Sequence, residues 1–254
     1  MTDKLRILDL FSGIGGFSLG LERTGGFETV AFCEIEPFPR KVLAKHWPEV
    51  PCYEDVTKLT GDILQRDGIA VDVITGGFPC QDISCAGKQA GIGEGTRSGL
   101  WSEIVRLIGE LRPQYVIVEN VANLLSGPSE RRGGWFGRIL GDLAECGYDA
   151  EWENIPAAAM GAPHRRERVW IVAYPHQDRR IIGDITSRWL HKAESTLIWE
   201  PFRANDNSIR VQELARICSD DDGLPEELGA YGNAVIPQIP ELIGRAILAA
   251  EVGK

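Results

Sequence analysis

LRILDLFSGIGG, residues 5–16, decides how the rest of this chain is read. Leu5–Leu10 is a short apolar run of the kind that forms a buried strand, and it leads into a turn carrying Gly13, Gly15 and Gly16. A strand that breaks into glycines and then resumes as a helix places bare backbone N–H groups at a helix start, where a ligand can approach closely. The dinucleotide fingerprint GxGxxG would need a glycine at position 18, where Ser18 stands, so the spacing fits a nucleoside cofactor but does not point to a nicotinamide. The alternative reading of the same stretch is a tight structural turn.

Outward from this turn, further apolar runs at Thr29–Cys33, Val71–Thr75 and Tyr115–Val118 read as buried strands, followed by Ile155 and Val169–Tyr174 as later ones. Between them, Pro37–His46 reads as a helix. Trp101, Ile104, Val105, Ile108 and Leu111 share one helical face, as do Trp135, Phe136, Ile139, Leu140 and Leu143. From Ile236, the spacing of Leu242, Ile243, Ala246 and Ile247 predicts a closing helix. Near-continuous apolar strands alternating with helices imply an α/β fold, a Rossmann-like, doubly wound, mostly parallel sheet covered on both faces. Such sheets bind ligands at the carboxyl ends of their strands, which is where the unusual residues fall: Phe11–Gly16, Glu34, Gly76–Ser84 and Glu119–Val121. Residues 175–228 lack this periodicity and read as a small second lobe, giving a main domain over 1–174 and a returning segment over 229–254.

Composition narrows the classes. Glycine accounts for 29 of 254 residues, above the usual ~7%, so its clusters call for tight turns. A formal net charge of −10 argues against a protein that coats nucleic acid non-specifically. Residues 160–216 carry a local excess of three positive charges, enough for a modest basic face or an ordinary solvated surface. The six cysteines, at 33, 52, 80, 85, 146 and 218, show no CxxC pair and no Cys/His metal spacing, so reduced thiols in a cytoplasmic setting and no metal are expected. With no signal peptide and no apolar run of membrane-spanning length, no membrane partner is expected.

Gly76-Gly-Phe-Pro-Cys-Gln-Asp-Ile-Ser84 is the most informative stretch for chemistry. Cys80 sits in a loop beyond a buried strand rather than within it, as suits a reactive thiol near a helix start or arginines. The glycines that follow, at 87, 91, 93, 95 and 99, suit a lid or a merely disordered loop. Glu119 places a carboxyl where burial beside a nucleobase would favour its protonated form, or else merely starts a turn. Glu34 stands where nucleotide-binding sheets place an acid for ribose hydroxyls. Asp55 suits an adenine amino group or, more simply, a helix cap. His164-Arg-Arg-Glu-Arg168 is a weak basic signal, and Gly232-Asn-Ala-Val-Ile-Pro237 by itself a turn and cap.

Taken in order, DLFSGIGG, GGFPCQDIS, ENV, RRER and GNAV resemble the DNA (cytosine-5) methyltransferase family over roughly residues 5–174 and 228–250. The resemblance implies a class I methyltransferase fold with a small target-recognition lobe, S-adenosyl-L-methionine as cofactor and a flipped cytosine in double-stranded DNA as substrate. It implies that Phe11, Gly13, Gly15, Gly16, Glu34 and Asp55 bind the cofactor, with Phe11 against the adenine. Asn233 goes with this set and would tie the catalytic domain to the recognition lobe. Cys80 would be the nucleophile, with Pro79, Gln81 and Ser84 shaping its loop. Glu119 would contact the cytosine N3 and amino group, with Arg166 and Arg168 holding the base and the catalytic residues. A bacterial or phage setting and a cognate restriction endonuclease as partner go with the same resemblance. Alternatives are a tRNA cytosine methyltransferase, whose usual Cys-Phe-Thr element is absent here, and a non-catalytic DNA-binding relative.

Overall fold

The computed structural model describes residues 4–79, 100–127, 133–160, 166–176 and 234–251. Seven strands, β1 (Leu5–Leu10), β2 (Phe27–Cys33), β3 (Cys52–Tyr53), β4 (Val73–Gly76), β5 (Tyr115–Val121), β6 (Tyr148–Pro156) and β7 (Glu167–Pro175), form one sheet in the order β3-β2-β1-β4-β5-β7-β6. All pairings from β3 to β5 are parallel, and β7 is antiparallel to both β5 and β6. The expected mostly parallel, doubly wound sheet is therefore present, with an antiparallel hairpin at one edge.

Among the described residues six α-helices cover it: α1 (Gly16–Glu22), α2 (Pro37–His46), α3 (Gly61–Arg66), α4 (Trp101–Leu111), α5 (Gly134–Glu145) and α6 (Gln238–Glu251). Alternation along the strands divides the core in two. Leu8, Leu10, Ile74, Val116, Val118 and Ile171 pack with Leu64, Trp101, Ile104, Ile108, Ile139 and Leu143 of α3, α4 and α5. Ile7, Val73, Tyr115, Ile117, Trp170 and Val172 pack on the other face with Phe17 and Leu21 of α1 and Ile239, Ile243 and Ile247 of α6.

Strand order reverses between β1 and β4, so the loops after these two strands diverge and leave a crevice at their carboxyl ends. Asp9 ties the two strands there. Its fully buried carboxyl accepts a hydrogen bond from Thr75 Oγ1 on β4 at 2.7 Å and another from Ser18 Oγ on α1 at 2.8 Å. The serine that breaks the dinucleotide fingerprint thus has a structural task. Burial pushes the Asp9 carboxyl up to about 7 against both hydroxyls.

Helices α1 and α6 run side by side on glycines. A Cβ at Gly16 would lie 2.5 Å from the Val235 carbonyl oxygen, and one at Gly20 only 2.2 Å from that of Pro237. Gly20→Ala should therefore cost about 1–3 kcal/mol through overpacking. By contrast Gly141→Ala, in α5 with nothing near its would-be Cβ, should gain about 0.5–1 kcal/mol from helix propensity. Urea midpoints of the two variants check this pair, and equal shifts would contradict the packing account.

Asp9 gives a second expectation. Its folded-state proton affinity exceeds the unfolded one, so between pH ~4 and ~7 the native state holds a proton that the unfolded chain releases, and stability falls as pH rises through that window. Asp9→Asn removes this slope. Unfolding midpoints at pH 5 and pH 7.5 should differ less in the variant than in the parent; identical differences would exclude Asp9 as the source.

Candidate functional site

Residues from five strand ends meet along the rim of the crevice. At the end of β1, Phe11 adopts φ 52°, a left-handed conformation that side chains other than glycine rarely take, and Gly13 and Gly15 follow at φ 52° and 85°. Ser12 closes the turn against β2, its N–H donating to the Cys33 carbonyl and its hydroxyl accepting from the Cys33 N–H. Glu34, 7% exposed at the end of β2, accepts from the Gly13 N–H at 2.7 Å with one carboxyl oxygen and from the Glu36 N–H at 2.8 Å with the other. A charged acceptor is thus fixed against the glycine turn, and each oxygen keeps lone-pair capacity for a ligand hydroxyl.

The three glycines of the turn differ. A Cβ on Gly15 would meet the Trp47 ring at 2.7 Å, and Gly16 is covered by Val235, so both are needed for protein packing. Only Gly13 of the three faces open space, with no atom within 4 Å of a would-be Cβ. Trp47 itself is held by its indole N–H on Glu22 Oε2 at 2.9 Å and by an edge contact with Phe32.

Asp55 caps a turn rather than the helix that the cap reading expects, since residues 56–58 form a turn and α3 takes Thr60 as its cap. One oxygen accepts from the Thr57 N–H and hydroxyl and the other pairs with Lys58, and these partners hold its carboxyl below the usual range. Ile35, absent from the sequence reading, is 60% exposed directly after Glu34. An apolar side chain next to a strand-terminal acid is the signal that would have found it.

β5 runs three residues further than its apolar pattern suggests, because β7 pairs with it as far as Val121↔Arg168. Glu119 therefore lies within the strand rather than beyond it, at 8% exposure. Arg168 Nε meets Glu119 Oε1 at 2.8 Å. Burial nevertheless pushes the Glu119 carboxyl above its ordinary value, outweighing the nearby Arg168 and Arg166 guanidiniums. The other oxygen faces Gly77, where a Cβ would sit 3.3 Å away.

The backbone entering the cysteine loop is fixed by a residue that sequence reasoning passed over. Asn120, 2% exposed, donates from its side-chain amide to the Phe78 carbonyl at 3.1 Å. Phe78 packs on Trp101, the first residue of α4, with ring centroids 5.6 Å apart. A polar side chain inside an otherwise apolar strand was the available clue. Pro79 is the last described residue here; Cys80, Gln81, Ser84, the glycine-bearing segment to Gly99, His164, Asn233 and the lobe from residue 177 to 228 lie outside the described residues.

Three other cysteines are unsuited to nucleophilic work. Burial pushes the Cys33 thiol up to about 12, and those of Cys52 and Cys146 are raised by the same cause. Among the described residues there is no cluster of His, Cys, Asp or Glu able to hold a metal ion, and no helix long and apolar enough to cross a membrane.

Known proteins share this arrangement. The family model for C-5 cytosine-specific DNA methylase matches residues 5–246. The chain is 35% identical over 178 residues to the Type II methyltransferase M2.BsuMI of Bacillus subtilis strain 168, covering 68% of this chain and 43% of that protein. It is 37% identical over 183 residues to M1.ScrFI of Lactococcus lactis subsp. cremoris, covering 72% and 44%. With M1.HphI of Haemophilus parahaemolyticus it shares 30% identity over 244 residues, covering 89% of this chain and 64% of that protein. The chain thus spans under half the length of the first two relatives. A crystal structure of a prophage-encoded E. coli protein, described as a DNA modification methyltransferase, superposes with a TM-score of 0.56 at 28% identity, over 68% of this chain and 47% of that one. Spodoptera frugiperda DNMT2 shares the fold, with a TM-score of 0.54 at 21% identity over 68% of this chain and 50% of that one. With a matching model over nearly its whole length, this chain belongs to the C-5 cytosine-specific DNA methylase family.

Proposed function

We propose that the protein transfers a methyl group from S-adenosyl-L-methionine to C5 of a cytosine flipped out of duplex DNA, with Cys80 as nucleophile. The observation that carries this reading is Glu119: a buried carboxyl, paired with Arg168 and facing Gly77, on the strand beside the one that leads to Cys80. The Type II methyltransferase names of its relatives support a cognate restriction endonuclease as its counterpart.

The donor fits the turn at the end of β1. Gly13 leaves an uncovered backbone, the Glu34 carboxylate stands ready for ribose hydroxyls, and the exposed Ile35 and the half-buried Phe11 offer apolar surface for an adenine. Asp55 would reach the adenine amino group with its remaining acceptor capacity, while Gly15 and Gly16 hold the turn's shape. Asn233, just before the Val235 contact on Gly16, would link this turn to the recognition lobe. When bound, the donor supplies an electrophilic methyl on a sulfonium centre and departs neutral, so no metal is required.

The chain's own residues do the rest. Cytosine C5 is a weak nucleophile, and a base inside the helix is out of reach, so the base must leave the stack. The Cys80 thiolate adds to C6, and the Glu119 carboxyl gives its proton to N3, so that the electrons gather at C5 as in an enamine. C5 takes the methyl group; a base then removes the C5 proton, the electrons of that bond expel the Cys80 sulfur, and N3 returns its proton to Glu119. Arg168 orients Glu119, and Arg166 adds positive potential around the base. Asn120, through Phe78, fixes the direction in which the chain enters Pro79 and Cys80, with Gln81 and Ser84 shaping the loop beyond.

Incubation with labelled S-adenosyl-L-methionine and duplex DNA carrying 5-fluorocytosine tests the reading, since fluorine at C5 blocks the final loss and leaves the protein bound to DNA. A labelled covalent complex is expected, absent in Cys80→Ala, which should keep donor binding within about twofold. A Cys80→Ala protein with normal turnover would refute the mechanism. Glu34→Ala removes a charged acceptor and should weaken donor binding by about 10–100-fold. Covalent trapping should persist at saturating donor; unchanged affinity would remove Glu34 from the donor site.

A further inference from the structure

We propose that Trp170 is a positioning residue that walls Glu119 from water and so keeps Glu119 in the proton-bearing form. The inference rests on the reading of Glu119 as proton donor.

Strand register carries it. Trp170 on β7 is the direct partner of Glu119 on β5 and, on its other side, of Glu153 on β6. Residues directly opposite in antiparallel strands share a face, with Cβ atoms about 4.5–5.5 Å apart. Glu119, Trp170 and Glu153 therefore form one row, the indole between two carboxyl groups. The face is the one packed by α1 and α6, where Trp170 is 1% exposed and meets the edge of Phe17 at 5.4 Å between ring centroids. Phe17 belongs to the helix that begins at the glycine turn, so one aromatic pair joins that turn to the strand bearing Arg168.

The indole nitrogen is buried and has no hydrogen-bond partner among the described residues, although Glu119 and Glu153 flank the residue on both sides. Buried tryptophans usually satisfy this group. Here the ring is placed as apolar bulk rather than as a donor. Among the described residues the charged groups around Glu119 are Arg168 and Arg166, which favour the carboxylate, with Glu153 beyond the indole. Gly77 on the β4 side and Phe17 on α1 bring no charge. Opposing the two guanidiniums falls to exclusion of water, and Trp170 is the largest side chain available for it on this face.

The dependence of turnover on pH tests this. A carboxyl that must donate a proton gives a descending limb at high pH. Trp170→Phe keeps an aromatic wall and should leave that limb within about 0.3 unit. Trp170→Gln sets a polar amide against Glu119 and should move the limb about one unit lower, a roughly tenfold loss of turnover along the descending limb. Donor affinity should stay within about twofold. A folded, donor-binding Trp170→Gln protein with an unmoved limb would overturn the proposal. If that variant does not fold, Trp170→Leu, apolar but smaller, replaces it: a downward shift of about half a unit is expected, and no shift overturns the proposal equally. Glu119→Gln separates the two levels. Normal turnover with the same limb in Glu119→Gln would sink the reading of Glu119 itself, whereas lost turnover there with unmoved limbs in the Trp170 variants would sink only the wall.

Discussion

Everything at the rim depends on the buried Asp9 carboxyl and the two hydroxyls that bond to it. The sheet reverses order between β1 and β4, so the loops after these strands turn apart and nothing in the backbone ladder obliges them to keep a fixed relation above the rim. Thr75 and Ser18, each bonded to one oxygen of Asp9, supply that relation. They connect the strand under the glycine turn, the helix that follows it and the strand entering the cysteine loop. A carboxyl without water is a costly tie. Its worth is that both hydroxyls are held in one geometry.

Much of this was legible in the sequence, for identifiable reasons. Short apolar runs with glycine punctuation locate β1, β2, β4 and the core of β5, and helical spacing locates α2, α4 and α5 closely. β6 was read only around Ile155 because most of Tyr148–Pro156 is polar or half-exposed, as befits an edge strand, and carries little hydrophobic signal. The six-residue α3 was missed for a similar reason: too short for a periodic pattern, it rests on a cap at Thr60 and one buried side chain, Leu64. The end of β5 was misjudged because Glu119 and Asn120 are polar; pairing with β7, which no local pattern announces, carries the strand through them.

The site was legible as chemistry more than as mechanics. Acids at strand ends and glycines in turns declare themselves, so Glu34, Glu119 and Gly13 stand at the rim as expected. What local sequence could not separate is why each glycine is there. Gly13 is open, whereas Gly15 yields space to Trp47 and Gly16 to Val235, residues distant in the chain whose approach only the fold reveals. Asn120 and Trp170 escaped for the same reason, since each acts through a neighbour brought to it by strand pairing.

The antiparallel course of β7 has an architectural consequence. Arg168 stands at the crevice rim, so the strand's other end, Pro175, is delivered to the opposite end of the sheet, where the His176 N–H bonds the Gly147 carbonyl. Among the described residues the chain next makes contact at Val235, against the first residue of α1 and back at the rim. These two points lie about a strand length apart, so the chain joining them has to return that distance before its last helix can close the α1 face of the sheet.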